Sequence, residues 1–160
     1  MGMAETTLHV VGLLTEPALP AFRAAWRPGD RCLALSRQAA AVLAQAPVPF
    51  ESFGISGDSW PELHRKVVDR LDWSGLGAEQ RWDAEPFLLH ETTRDFLLCE
   101  AVWREVERGA PQRVRWWHEV AFAGRSASGH HLFTAVEKLL GGLSIPVLRG
   151  SSGERANLFP

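Results

Sequence analysis

The segment LHVVGLLTEPALPAFRAAWRPGDRCLALS, residues 8–36, contains one complete strand–helix–strand unit, from which the fold class follows. Residues 8–14 and 31–36 are mainly apolar runs, and such runs are typical of strands that are covered on both faces of a parallel sheet. Between them, Thr15 can cap a helix and Pro17 suits the first helical turn. The segment therefore predicts a parallel β-α-β unit.

The rest of the chain continues the alternation of strands and helices. Ser36 can cap a second helix, and residues 48–55 predict a third strand. A helical region follows, and its longest pattern, over about 86–108, places one apolar stripe on Phe96, Cys99, Val102, Trp103 and Val106. Residues 113–122 and 145–150 predict the fourth and fifth strands, with a helix near residues 132–140 between them.

This order predicts an α/β fold, namely a Rossmann-like, doubly wound, mainly parallel five-stranded sheet with a helical insert between strands 3 and 4. We expect residues 1–150 to form a single domain and residues 151–160 an irregular tail. A strand order of 3-2-1-4-5 would bring the carboxyl ends of the first and fourth strands together. Ligands of open α/β sheets bind at such a point, which here predicts a site at residues 13–17 and 124–129.

Composition limits the class of protein. The net charge is −2 and the basic residues form no cluster, so no nucleic-acid partner is expected. The chain begins without a secretory leader pattern and has no apolar run of the ~20 residues that a membrane span needs, which favours a cytoplasmic protein. Cys32 and Cys99 are isolated and lie in apolar patterns, which indicates buried thiols rather than a zinc or disulfide framework.

The loop AFAGRSASGHHLF, residues 121–133, has the chemistry of an anion site. Gly124 and Gly129 allow close approach of the backbone, and Arg125 can pair with a phosphate or carboxylate. Hydroxyl groups come from Ser126 and Ser128, and a helix N-terminus that follows favours negative charge. The alternative is a plain strand-to-helix connection capped by Ser128.

Several specific chemistries lack their motifs. The loop has the glycine spacing of a P-loop but not the lysine that follows, and no GxGxxG, GxSxG or paired-carboxylate pattern is present, so no cofactor is expected. His130 and His131 would point about 100° apart on a helix and could not share one metal ion, so no metal is expected. At a helix N-terminus, His130 would favour the neutral imidazole.

Seven tryptophans raise the possibility of carbohydrate stacking. Trp26 and Trp103 fit core stripes, whereas Trp73, Trp82 and Trp117 are better candidates for exposed rings. Packing in the core is the alternative for each of these three residues.

The segments HVVGLL (9–14), RCLALS (31–36) and GGLSIPVLRG (141–150), together with the helical insert, resemble the N-terminal, acceptor-side half of GT-B glycosyltransferases of the surface-carbohydrate-biosynthesis type. The resemblance implies a carbohydrate acceptor or phosphorylated small molecule bound across the strand ends. It also implies a second domain or subunit that holds the nucleotide sugar. The contact residues it implies are Thr15, Glu16, Ser36, Arg37, residues 124–129, Arg149 and Gly150, with Glu16 or His118 as the base.

Two other functions stay open, and the sequence does not decide whether the chain is an enzyme. LHVVG and RPGDRCLAL resemble the start of small sulfur-relay proteins, a role that needs an exposed cysteine of low pKa. The other is a non-catalytic ligand-binding or protein-interaction module, which would dock through tryptophan-bearing surface to a partner subunit or as a homodimer.

Overall fold

The fold is a single parallel sheet with helices on both faces. The computed structural model describes residues 5–53, 65, 69, 74, 75, 77–118 and 133–150, with the backbone alone for residues 84–91. Within these ranges the strands are β1 (Thr7–Leu13), β2 (Arg31–Ala34), β3 (Glu51–Ser52), β4 (Arg113–His118) and β5 (Val147–Arg149). The helices are a 3-10 turn (Glu16–Ala18), α1 (Leu19–Ala25), α2 (Arg37–Leu43), α3 (Ala78–Gly109) and α4 (Thr134–Gly141).

The strands are arranged in the order β3-β2-β1-β4-β5, and every neighbouring pair is parallel. The predicted strand order and the predicted parallel, Rossmann-like α/β sheet are therefore confirmed. Val10 of β1 lies between Leu33 of β2 and Trp116 of β4, so β1 is the centre of the sheet.

Two apolar layers cover the sheet, which explains why β1 is apolar without interruption. One layer joins β1 to α1 and α2 through residues that include Val11, Leu14, Leu19, Phe22, Val42, Leu43 and Trp117. The other joins β1 to α3 and α4 through residues that include Leu8, Val10, Leu98, Val102, Trp116, Val136 and Leu140. Side chains that alternate along a strand enter opposite layers, so both sets of positions must be apolar.

The connections that follow β1 and β4 run over opposite faces of the sheet. From β1 it passes through α1 to β2 on one face, and α4 connects β4 to β5 on the other face. A shift in register after Val11 places Leu13 opposite His118, so the carboxyl ends of the two strands lie side by side. This is the crevice at which doubly wound sheets bind ligands.

Helix caps follow the sequence in part. Ser36 caps α2 as predicted, since its side chain accepts a hydrogen bond from the amide of Ala39. Thr15 occupies the N-cap of the 3-10 turn with an extended backbone, but its side chain makes no capping bond, and Pro17 lies at the start of that turn. Gly142 follows α4 as its C-cap, near the predicted helix end.

Elsewhere the boundaries and faces differ from the sequence pattern. The third strand is reduced to Glu51–Ser52, and α3 begins at Ala78, before the helical sequence pattern that starts near residue 86. Trp103 is 45% exposed, because Leu98 and Val102 provide the buried face of α3. Trp117 is only 1% exposed, because the layer of α1 and α2 covers it. Trp82 is exposed as expected, and residues 119–122 and 151–160 lie outside the described residues.

Candidate functional site

The carboxyl end of β1 is held in place by the first turn of α2. The Ser36 hydroxyl donates to the carbonyl oxygen of Gly12 at 2.6 Å. The Gln38 amide accepts from the backbone N–H of Leu14 at 3.0 Å and donates to the Leu14 carbonyl oxygen at 2.5 Å. Side chains of α2 and its cap therefore hold the end of β1 beyond Val11, the last residue of β1 that pairs with β2.

An aromatic cluster covers the carboxyl ends of β1 and β4 on the face of the sheet that packs against α3 and α4. The rings of Trp116 and His118 stack with centroids 5.7 Å apart, and Phe133 meets each of them edge-on at 5.8 and 5.1 Å. A Cβ atom on Gly12 would lie 2.8 Å from the Phe133 ring and 2.9 Å from the Trp116 ring. Glycine at this position is therefore what lets the cluster pack onto β1.

The two candidate bases approach the carboxyl edge from opposite faces. His118 is the last residue of β4, is 8% exposed and belongs to the aromatic cluster. Glu16 is exposed in the 3-10 turn and accepts a hydrogen bond from the Gln45 amide at 3.3 Å, on the side of α1 and α2. Glu16 is thus the carboxylate that solvent and a bound molecule can reach.

The other predicted contact residues that the structure describes all lie where strands end. Thr15 follows β1, Ser36 and Arg37 follow β2, and Arg149 ends β5. Arg37 and Arg149 are exposed, whereas the Ser36 hydroxyl is used for the cap and for Gly12. The remaining predicted residues lie outside the described residues; they are Gly124, Arg125, Ser126, Ser128, Gly129 and His130.

A buried polar network near the middle of β1 was not predicted from the sequence. His9 is fully buried, and its Nε2 lies 2.8 Å from an Asp30 oxygen. The indole N–H of Trp117 donates to His9 Nδ1 at 3.1 Å, so the imidazole proton must lie on Nε2 and be donated to Asp30. Asp30 also accepts from the backbone N–H groups of Thr7 and Arg27.

Burial favours the neutral imidazole of His9. Burial lowers the pKa of His9 below its ordinary value of about 6.5, and the charges of Arg115 and Arg113 act in the same direction. The hydrogen bond to Asp30 and the charge of that carboxylate oppose the shift. Because no part of His9 reaches solvent, we interpret the network as a structural link between β1, β2 and β4.

A second charged cluster joins α3 to the β2–β3 edge. Arg31 pairs with Glu105, and Arg108 pairs with Glu51 at 2.9 Å. The hydrogen bond between the carboxyl groups lowers the pKa of Glu51, whereas burial is the main cause that raises the pKa of Glu105. Each carboxylate has an arginine partner, so we interpret the cluster as a structural link that attaches α3 to the β2–β3 edge of the sheet.

Neither cysteine has the environment of a sulfur carrier. Burial raises the pKa of the Cys32 thiol to about 12, and it also raises the pKa of Cys99, with Asp95 adding to the shift. A sulfur-relay nucleophile needs the opposite, a thiolate at neutral pH. The raised pKa values of the two thiols therefore argue against the sulfur-relay function.

Comparison with known proteins gave no match: no protein-family model, curated protein or solved structure matches the chain. Within the described residues, no group of three or more His, Cys, Asp or Glu side chains could hold a metal ion. Across the same part of the chain, the helices are too short or too polar to cross a membrane.

Proposed function

We propose that the carboxyl edge of β1 and β4 binds a carbohydrate acceptor or a small anionic ligand, as the acceptor-side domain of a glycosyltransferase-like protein. The observation that supports this proposal is the reversal of strand order between β1 and β4, where the connections diverge to opposite faces. Any transfer reaction would also need a second domain or subunit to hold the nucleotide sugar.

The residues around this edge suit a ligand that carries both hydroxyl groups and negative charge. Arg37 and Arg149 present exposed guanidinium groups, which bind phosphate or carboxylate through paired hydrogen bonds. Arg125, in the glycine- and serine-rich loop of the sequence between β4 and α4, is a third candidate. Thr15, Ser126 and Ser128 are candidates for contacts to sugar hydroxyls.

Glu16 is the better candidate for the base that would accept a proton from an acceptor hydroxyl. A general base must come within hydrogen-bonding distance of that hydroxyl, and the Glu16 carboxylate is exposed at the end of β1. His118 is packed between Trp116 and Phe133, which suits it to shape the wall of the site. If transfer occurs, we therefore expect Glu16→Gln to reduce kcat more than His118→Asn.

Ligand-induced thermal stabilisation tests the proposal. Glucose 1-phosphate, which combines sugar hydroxyls with a phosphate, should raise Tm by roughly 5–10 °C at 100 times its Kd. Arg37→Ala and Arg149→Ala should each weaken binding about tenfold, since each removes a charged hydrogen-bond donor. The matched control is Arg104→Ala, which removes an exposed arginine from α3.

The proposal fails if sugar phosphates, nucleotides, nucleotide sugars and neutral sugars all leave Tm unchanged. It also fails if Arg104→Ala weakens binding as much as Arg37→Ala does, because the effect would then reflect total charge and not position.

A non-catalytic interaction module is the second candidate, and the exposed aromatic rings of α3 support it. Trp82 is 82% exposed and Trp103 is 45% exposed, which is unusual for such large apolar side chains. Native mass spectrometry separates the candidates: a stable oligomer that Trp82→Ala dissociates, with no response to any sugar or phosphate, would favour the interaction module.

A further inference from the structure

A cleft at the amino ends of β1 and β4 has no role in the function proposed above. Its volume is about 400 Å³, within the range of small-molecule sites. It is lined by Thr7, Ala21, Ala24, Ala25, Arg27, Arg113 and Arg115. The α1 wall consists of alanines, whose short side chains leave the space open, and the remaining lining is mainly arginine.

The strand geometry explains why two of these arginines face the cleft. Arg113, Arg115 and Trp117 alternate along β4 and therefore share one face of the sheet. Trp117 is buried in the layer of α1 and α2, so the two arginines lie on the α1 side as well. In the parallel register, Arg113 lies opposite Thr7 and Arg115 opposite His9.

The positive charge of the cleft is only partly balanced. Arg113 donates to the Thr7 hydroxyl at 2.9 Å and pairs with the exposed Glu5 at 3.1 Å. The guanidinium groups of Arg27 and Arg115 have no carboxylate partner within residues 5–53, 77–83, 92–118 and 133–150. The nearby Asp30 carboxylate forms its hydrogen bonds with His9 and with the backbone N–H groups of Thr7 and Arg27, and it makes no ion pair with the guanidinium groups of Arg27 and Arg115.

Arg115 is the residue for which this imbalance matters most. It is half-buried on β4, and its charge acts on the buried His9. A partly desolvated cation without a counter-charge is unfavourable, and a bound anion would offset that cost. Guanidinium groups on two sides of the cleft can each form paired hydrogen bonds with phosphate oxygens.

We propose that this cleft binds a phosphate-bearing small molecule through Arg27, Arg113 and Arg115. The site is separate from the carboxyl edge, because it lies at the opposite ends of the same strands. Its volume exceeds what one phosphate group needs, so a molecule that carries a diphosphate group is the expected class of ligand. Binding there would stabilise the packing of α1 against β4.

Calorimetric titration of the full chain with inorganic diphosphate tests the site. Wild type should bind, and Arg115→Gln and Arg27→Gln should each weaken binding at least about tenfold, since each removes one charged contact. Arg104→Gln, the exposed arginine of α3, should leave Kd unchanged. Arg27 is exposed, so its variant tests the site even if Arg115→Gln impairs folding.

A second measurement follows His9. Bound diphosphate would counter the charges of Arg113 and Arg115, which lower the pKa of His9, so NMR titration should show a higher His9 pKa in the complex. Absence of binding by wild type would overturn the proposal, as would equal loss of affinity in Arg104→Gln. If Arg37→Gln lost diphosphate binding and Arg115→Gln kept it, the anion would bind at the carboxyl edge. That result would overturn the proposed cleft site but not the proposed function.

Discussion

His9 shows how one buried side chain makes stability depend on pH. Its pKa is lowered in the folded chain, so below about pH 6.5 the unfolded chain binds a proton that the folded chain does not. The contribution of His9 to stability is therefore complete above about pH 6.5 and is lost as the pH falls through the folded pKa.

We expect the free energy of unfolding of wild type to fall between pH 7.5 and pH 5.5, and to fall less in His9→Gln. Urea denaturation at both pH values measures this difference. The other five histidines are common to both proteins and serve as the internal reference. An identical decrease in the two proteins would show that His9 titrates in the folded state as it does in the unfolded chain.

At Gly12, on the carboxyl edge, a larger side chain does not fit unless its aromatic neighbours move. Gly12→Ala would place a methyl group 2.8 Å from the Phe133 ring, and moving that ring against Trp116 should cost about 2 kcal/mol. Equilibrium denaturation checks the loss. Gly141→Ala is the matched control, since a Cβ there has no heavy atom within 4 Å; equal destabilisation of both variants would contradict the packing argument.

At the scale of elements, α2 and β1 are coupled through Ser36. Ser36→Ala removes both the cap on the Ala39 amide and the hydrogen bond to Gly12, so it should reduce stability by about 1–2 kcal/mol. The exposed Ser52 provides the control, and Ser52→Ala should change the free energy of unfolding little. A thermal or urea transition of Ser36→Ala that overlaps wild type would show that neither bond contributes.

The sequence predicts some elements better than others for physical reasons. β1 and β2 are recognisable because strands buried on both faces are continuously apolar. β4 alternates in sequence, which predicts one polar face, but an alternating strand can still bury an indole where a neighbouring layer reaches it, as it does at Trp117. β3 is an edge strand and pairs through only two residues, so its length depends on contacts with β2 and not on its own pattern.

The candidate site, too, is predictable from the sequence in its position but not in its side-chain contacts. Its position follows from strand order, because parallel strands end at one edge of the sheet. Its side-chain partners do not follow, because they join distant parts of the chain. Gln38 reaches Leu14 across 24 residues, and Trp117 reaches His9 across 108 residues. The arginine cleft also depends on such an approach, since the alanines of α1 must face Arg113 and Arg115.

At the scale of the whole molecule, one sheet separates two candidate sites. β1 has seven residues and spans roughly 20 Å. The arginine cleft lies at its first residue, and the carboxyl edge with the proposed ligand site lies at its last residue. The buried His9 network lies between them. The two sites therefore share a scaffold but no residue, and substitutions at one should leave the other intact.

Mapping of glucose 1-phosphate onto the backbone by NMR tests the proposed binding site at the carboxyl ends of β1 and β4 most directly. In ¹⁵N-labelled protein, we expect amide shifts to concentrate at residues 12–16, Arg37, His118 and residues 124–129. Residues 7 and 113 at the opposite ends of β1 and β4 should change little at concentrations that saturate this edge. Shifts confined to α3, or to the amino ends of the strands, would contradict a binding site where β1 and β4 diverge.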